Sequence, residues 1–127
     1  MPEHAPINEY DMALVTNCVT RYKAAGLESN YDVEDRQKGI VRIIMENPVR
    51  RDGSIVILEI HKLMRSGVIF RKTHWVVQLY SASDHIQPLR AHGCSFGNTQ
   101  ARAVTEAERD IQANFLSVCS FDLAARA

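Results

Sequence analysis

The sequence lacks the patterns that mark several specialised classes of protein. Its three cysteines, Cys18, Cys94 and Cys119, are widely spaced and form no CxxC pair. This spacing argues against a disulfide framework and favours free thiols in a reducing compartment. The purely apolar runs are only a few residues long, and the first residues resemble no secretory signal, so we expect neither a membrane span nor export. These absences predict a cytoplasmic protein.

Net charge is also absent, but the charges are unevenly distributed along the chain. Fifteen Lys and Arg balance fifteen Asp and Glu. From Arg36 to Arg102 there are eleven bases against four acids, whereas residues 1–35 carry seven acids against two bases and residues 103–127 carry four against two. A basic middle attracts anionic partners. It loses that property if the acidic termini fold over it and pair with its cations.

Length and composition are those of one globular domain. The chain has 127 residues, of which 46% are apolar and 24% are charged. A chain of this size can bury a core without disulfides or metals, and no long polar tract indicates disorder. We therefore expect a single α+β domain over residues 1–127, with any disorder confined to residues 1–7 and 122–127.

The spacing of apolar residues predicts one helix near each end of the chain. Asn8 is placed to cap the first helix, about Glu9–Ala25, and Gly26 ends it. Asn98 or Thr99 caps the second helix. The buried stripes are expected at Met12, Val15, Cys18, Val19 and Tyr22 in the first helix and at Val104, Ala107, Ile111, Phe115 and Val118 in the second.

Three segments rich in β-branched residues lie between these helices. They are Ile40–Glu46, Ser54–Met64 and Val68–Tyr80, and they predict an antiparallel meander. Residues 28–38 fit either a loop or a short strand, and residues 81–98 form a long connection. The expected fold is helix, three-stranded meander, helix, in a two-layer sandwich. The face toward the helices carries Val41, Ile43, Met45, Val56, Leu58, Ile60, Trp75, Val77 and Leu79.

No catalytic or cofactor motif is complete. Residues 93–97 match GxSxG, but a nucleophile elbow needs a parallel sheet and a histidine after the serine, and the last histidine is His92. His92 and Cys94 are the closest pair of soft metal ligands, and a zinc site needs three or four ligands. The segment before the second helix lacks the Walker and GxGxxG patterns. We therefore predict a protein that is not an enzyme and has no metal or cofactor.

The basic middle supplies the candidate binding residues. Its cations gather near the strand turns, so they form two rims of the sheet on either side of a face that carries His74, Gln78 and Tyr80. Phosphates bind such cations, and an exposed aromatic ring can stack on a base. The predicted nucleic-acid or partner-binding set is Arg42, Arg50, Arg51, Lys62, Arg65, Arg71, Lys72, His74, Tyr80 and Arg90.

Two functions remain open at this point. The first is a small non-enzymatic binding or regulatory module whose basic sheet region engages nucleic acid or an acidic protein. The alternative is a protein-interaction or inhibitor protein that forms a homodimer through a strand edge or through the outer sheet face. That face is more apolar than a solvated sheet surface usually is, since it carries Ile44, Ile55, Ile57 and Val76.

Two segments resemble known families. The order helix, three strands, helix, with Ala103 and Ala107 in the second helix, is similar to double-stranded-RNA-binding domains. Where that family has a lysine pair, residues 98–102 carry a single cation, Arg102. Gly97-Asn98-Thr99 and the alanines that follow resemble a strand-to-helix segment of HicB-type antitoxins over about fifteen residues. Both likenesses imply a regulatory or RNA-associated protein.

Overall fold

The chain folds as an α+β protein with an antiparallel sheet and two helices, which confirms the predicted class. The computed structural model describes residues 3–47, 55–66, 71–82 and 90–114. Within these ranges a single turn of 3-10 helix lies at Arg36–Lys38. The elements in chain order are β1 (Glu3–His4), α1 (Glu9–Ala24), β2 (Glu28–Asp32), β3 (Ile40–Asn47), β4 (Ile55–Ser66), β5 (Arg71–Ala82), β6 (Arg90–Gly97) and α2 (Gln100–Asn114).

The sheet is larger than the predicted meander. Its strand order is β2-β3-β4-β5-β6, and every strand pair is antiparallel. β3, β4 and β5 overlap the three predicted segments and end one or two residues beyond them, whereas β2 and β6 come from residues 28–38 and 81–98. Both added strands are polar or rich in small residues, so they lack the apolar alternation that identifies a strand. The three-strand outline shared with double-stranded-RNA-binding domains therefore describes only part of this sheet.

The N-terminal strand β1 pairs with the same edge of β4 as β3 does, next to the start of β3. His4 pairs with Leu63 of β4, beyond the point where β3 begins. The side chains of Ala5 and Ile7 are both 3% exposed. Residues 3–7, which we expected to be open to disorder, are therefore part of the fold, and residues 122–127 lie outside the described ranges.

The core lies between the helices and one face of the sheet. Asn8 caps α1 in a capping box with Asp11, and both hydrogen bonds of the box are present at 2.8 and 3.0 Å. The predicted stripe of α1 and the predicted inner face of β3, β4 and β5 are buried in one cluster. In α2, Val104 and Ala107 belong to the same cluster. The side chain of Ile111, and Phe115 and Val118, lie outside the described part of the chain.

A buried polar contact joins the two helices at the edge of this core. Nη2 of Arg21 in α1 lies 3.2 Å from Oε2 of Glu108 in α2, and the Glu108 side chain is 2% exposed. Burial raises the pKa of Glu108 above its ordinary value, and the neighbouring Tyr22 hydroxyl and Arg21 only partly offset this effect. Burial also raises the pKa of the Cys18 thiol beside it. This cluster ties α1 to α2, with Glu108 buried and Arg21 partly exposed.

Candidate cationic groove

The strand register brings several of the predicted basic residues to one end of the sheet. Arg65 of β4 pairs directly with Lys72 of β5, and Arg71 pairs with Ser66 beside them. His74 follows two residues after Lys72 and therefore points to the same face. Arg65, Lys72 and His74 line an open groove with a volume of about 480 Å³. Of the two predicted rims, the one beside the turn between β4 and β5 therefore contributes residues to a depression.

Other members of the predicted set lie elsewhere or are already paired. Lys62 points to the helix side, where its Nζ lies 2.6 Å from Oδ2 of Asp11. Nε of Arg42 lies 2.8 Å from Oε2 of Glu59 on the outer face. These two cations are compensated within the fold, because each one has a carboxylate partner.

The opposite end of the sheet holds the rest of the described set. The Tyr80 hydroxyl donates to the amide oxygen of Gln78. Burial raises the pKa of Tyr80, and the nearby Glu59 carboxylate raises it further. Arg90 pairs with Ser81 in the β5–β6 register, and its side chain is outside the described part of the chain. Arg50 and Arg51 lie outside the described residues altogether.

Phe96 adds an aromatic face to the groove. It lies on β6 opposite Val76, so it shares the outer face with His74. Its side chain is 64% exposed, which is unusual for a phenyl group, and it lines the same depression as Arg65 and Lys72. The groove therefore combines an accessible flat ring with cationic neighbours.

Arg102 reaches the groove from the first turn of α2. Thr99 caps this helix, since its Oγ1 accepts the backbone N–H of Arg102 at 3.2 Å. Gly97 ends β6 at the same place, and a Cβ added to it would lie 2.7 Å from the backbone nitrogen of Ala103. The absence of a side chain at residue 97 lets the start of α2 approach the end of β6. This close approach sets Arg102 beside Phe96 at the rim.

The charge of the groove is of one sign. Its lining contains Arg65, Lys72, His74 and Arg102 and includes neither Asp nor Glu. Within the described ranges, none of these four side chains forms an ion pair. Carboxylates from the acidic N-terminal region pair with other cations of the basic middle: Asp11 with Lys62, and Glu9 with Arg36 at 2.6 Å. The fold therefore neutralises part of the basic middle and leaves the groove cationic.

A chain of hydrogen bonds crosses the outer face of the sheet away from the groove. Glu59, which is 9% exposed, accepts from Arg42 through one oxygen and lies 2.7 Å from Nε2 of His61 through the other. Nδ1 of His61 lies 3.0 Å from Nε2 of His4. A histidine beside a carboxylate is the usual pair for acid–base chemistry. In this chain of hydrogen bonds, which runs from His4 to Arg42, His61 links β1 to the sheet.

Two of the residues that suggested chemistry, Cys94 and Ser95, lie in β6. Ser95 lies in the middle of β6 and is 7% exposed, so its hydroxyl does not project from a strand-to-helix elbow. Cys94 is exposed, and burial raises the pKa of Cys18. The backbone of His92 lies in β6, but its side chain is outside the described part. No group of three or more His, Cys, Asp or Glu among the described residues is arranged to hold a metal ion.

Five residues of the groove are not in the predicted set, and of these Phe96 supplies the exposed ring and Arg102 supplies a cation. Phe96 falls within residues 81–98, whose sequence pattern is that of a connection, so its exposure on a strand could not be anticipated. Arg102 lies outside the apolar stripe of α2, but its proximity to Lys72 depends on how α2 is attached to β6. The signal that could have indicated both is Gly97, since a glycine shortly before a helix cap allows a close approach of strand and helix.

The comparisons with known proteins provide no relative. No protein-family model matches the chain, and neither a curated protein nor a solved structure matches it. In the part of the chain that the structure describes, no helix is long and apolar enough to cross a membrane.

Proposed function

We propose that this protein is a non-enzymatic module that binds single-stranded nucleic acid in the cationic groove. The observation that carries the proposal is the exposed ring of Phe96 beside Arg65, Lys72 and Arg102. Sequence-tolerant single-strand binding uses this combination, because cations bind the phosphates and an aromatic ring stacks on a base. Stacking contributes roughly 1–3 kcal/mol per base in such sites.

A single strand fits the groove better than a duplex does. In a duplex the base faces are stacked on one another, so the exposed phenyl ring of Phe96 has no free base face to contact. The groove is also short, since it is confined to the ends of β4, β5 and β6 and the first turn of α2. A site of these dimensions suits a few nucleotides of an unpaired strand.

An acidic protein is a less suitable partner for the same groove. Carboxylates would pair with Arg65, Lys72 and Arg102, but they give no role to the phenyl ring of Phe96.

Dimerisation through the outer sheet face is also less favoured. Ile55 and Ile57 are already 6% and 7% exposed within one chain, so a partner would contact mainly the half-buried Ile44 and Val76.

A regulatory role in the cytoplasm accompanies this proposal. Cys18 and Cys94 are free thiols, as expected in a reducing compartment. The groove presents cations and an aromatic ring but no arrangement of nucleophile and base. We infer that the protein acts by binding an unpaired strand rather than by modifying the strand chemically.

The test uses fluorescence anisotropy with labelled single-stranded RNA and DNA oligonucleotides of mixed sequence. Phe96→Leu removes the aromatic face but keeps an apolar side chain, and we expect it to weaken binding by about tenfold. Tyr31→Leu is the matched control, since Tyr31 is also an exposed aromatic residue of the sheet, 41% exposed, but lies on β2 far from the groove. Equal affinities for the wild type and Phe96→Leu, or tighter binding of duplexes than of single strands, would refute the proposal.

A further inference from the structure

A second depression adjoins the cationic groove on the helix side of the sheet. It has a volume of about 400 Å³ and lies between the first turns of α1 and α2. Trp75 and Asn98 line both depressions, so the two are contiguous. Its volume falls in the range of small-molecule sites, about 300–1,000 Å³. No function described above uses it.

The walls of this second depression are aromatic and close to neutral. Tyr10, whose side chain is 72% exposed, stands at the rim, and Trp75, which is 5% exposed, forms part of the interior wall. The only charged residues of its lining are Lys62 and Asp11, and they neutralise each other at 2.6 Å. This lining differs from that of the groove, where the cations have no described carboxylate partner.

One residue that lines the second depression carries a buried acceptor without a partner among the described residues. Gln100 is 2% exposed, and its Nε2 donates to the backbone carbonyl of Asp11 at 3.2 Å. Its Oε1 is buried and accepts no hydrogen bond from the described part of the chain. An unsatisfied buried acceptor is costly, so a ligand donor that bonds to it gains a favourable contact.

We propose that the second depression holds one nucleobase of the bound strand and selects bases with an amino group. The aromatic walls suit a flat neutral ring, the amino group donates to Oε1 of Gln100, and the adjoining groove holds the phosphates. This inference rests on the proposed function, because the strand that places the base is the one bound by the groove. It adds a preference for adenine, cytosine or guanine over uracil and thymine, which present no amino group.

The test compares adenosine with purine riboside, which differ by the amino group alone. Binding of each nucleoside is followed in ¹⁵N–¹H spectra through the amides of Tyr10 and Ala101, with Lys72 and Phe96 as reporters of the groove. We expect adenosine to shift the first pair of amides and to bind about fivefold more tightly than purine riboside, as for one neutral hydrogen bond. Equal binding of the two nucleosides would overturn the role of Gln100.

Two variants make the test independent of a single substitution. Gln100→Leu removes the acceptor, and we expect it to bring the affinity for adenosine down to that for purine riboside. Tyr10→Ser alters only an exposed rim residue, so it leaves folding intact, and we expect it to weaken both nucleosides by a similar factor. Unchanged adenosine binding in both variants would contradict the proposal.

An abasic oligonucleotide separates this inference from the proposed function. It offers phosphates without bases, so we expect it to bind in the groove and to leave the amides of Tyr10 and Ala101 unshifted. If the abasic strand binds and adenosine does not, the base pocket is refuted and the groove stands. If adenosine binds and neither the abasic strand nor any oligonucleotide does, the groove proposal fails, and the depression is then a separate nucleoside site.

Discussion

The ammonium nitrogen of Lys62 lies 2.6 Å from Oδ2 of Asp11 and 5.6 Å from the centroid of the Trp75 ring. The side chains of Lys62 and Asp11 are only 12% and 6% exposed, so this pair crosses the interface between β4 and α1. One of the most central bases of the chain is therefore neutralised by an acid from its N-terminal region. The contact explains why the basic middle of the sequence is only partly a basic surface.

We predict that Lys62→Met destabilises the fold by about 3 kcal/mol, because it leaves the Asp11 carboxylate buried without its cation. Urea unfolding followed by the fluorescence of Trp75, the single tryptophan of the chain, measures this change. Lys38→Met is the control, since Lys38 and Glu34 form an exposed pair at 3.6 Å and we expect a destabilisation below about 0.5 kcal/mol. Similar destabilisation in the two variants would show that burial does not strengthen the Lys62 pair.

The stability of the fold should depend on pH through Glu108. Burial raises the pKa of this carboxyl in the folded chain above its ordinary value, so the folded chain holds the proton more tightly than the unfolded chain does. The contribution is fully present below the unfolded pKa and is lost as the pH rises toward the folded pKa.

Glu108→Gln provides the comparison, because a neutral amide does not titrate. We expect the unfolding free energy of the wild type, relative to that of Glu108→Gln, to fall as the pH rises from about 4 to 7. Urea titrations of both proteins across this range measure it. A wild type that gains stability over the variant as the pH rises would mean that Arg21 lowers the pKa of Glu108 more than burial raises it.

Gly97 should be required for the close approach of β6 and α2. A Cβ at this position would lie 2.7 Å from the Ala103 nitrogen, so we expect Gly97→Ala to cost about 1–3 kcal/mol and to weaken oligonucleotide binding by displacing Arg102. Cys94→Ala, an exposed change in the same strand, is expected to alter stability by less than about 0.5 kcal/mol. Thermal unfolding and anisotropy measure the two effects. Wild-type stability and affinity in Gly97→Ala would refute the close packing.

The parts of the fold that could be predicted are those with a strong periodic pattern. The buried stripe of α1 and the inner face of β3, β4 and β5 follow directly from apolar spacing, and the cap at Asn8 follows from the preference of asparagine for that position. β2 and β6 could not be identified, because their residues alternate weakly and their stability as strands depends on pairing with β3 and β5. Strand pairing between distant segments is a tertiary effect that single-segment patterns do not report.

The candidate site was predictable only in part, for a related reason. Arg65, Lys72 and His74 adjoin one turn, so their convergence could be inferred from the predicted hairpin. The ion pair of Lys62 with Asp11 depends on how α1 packs on the sheet. The exposure of Phe96 depends on the pairing of β6 with β5. Local sequence therefore indicated that a cationic surface exists but not which cations stay accessible.

The salt dependence of binding to a single-stranded oligonucleotide tests the central claim most directly. Anisotropy titrations between about 50 and 300 mM salt give the slope of log K against log salt, whose magnitude is about 0.7 for each phosphate that the protein neutralises on a single strand. We predict that Arg65→Ala with Lys72→Ala reduces this magnitude by about 1.4. The control, Lys23→Ala with Arg109→Ala, removes exposed cations outside the groove and should leave the slope unchanged. An unchanged slope in the groove variant, or no wild-type binding at the lowest salt, would contradict the account.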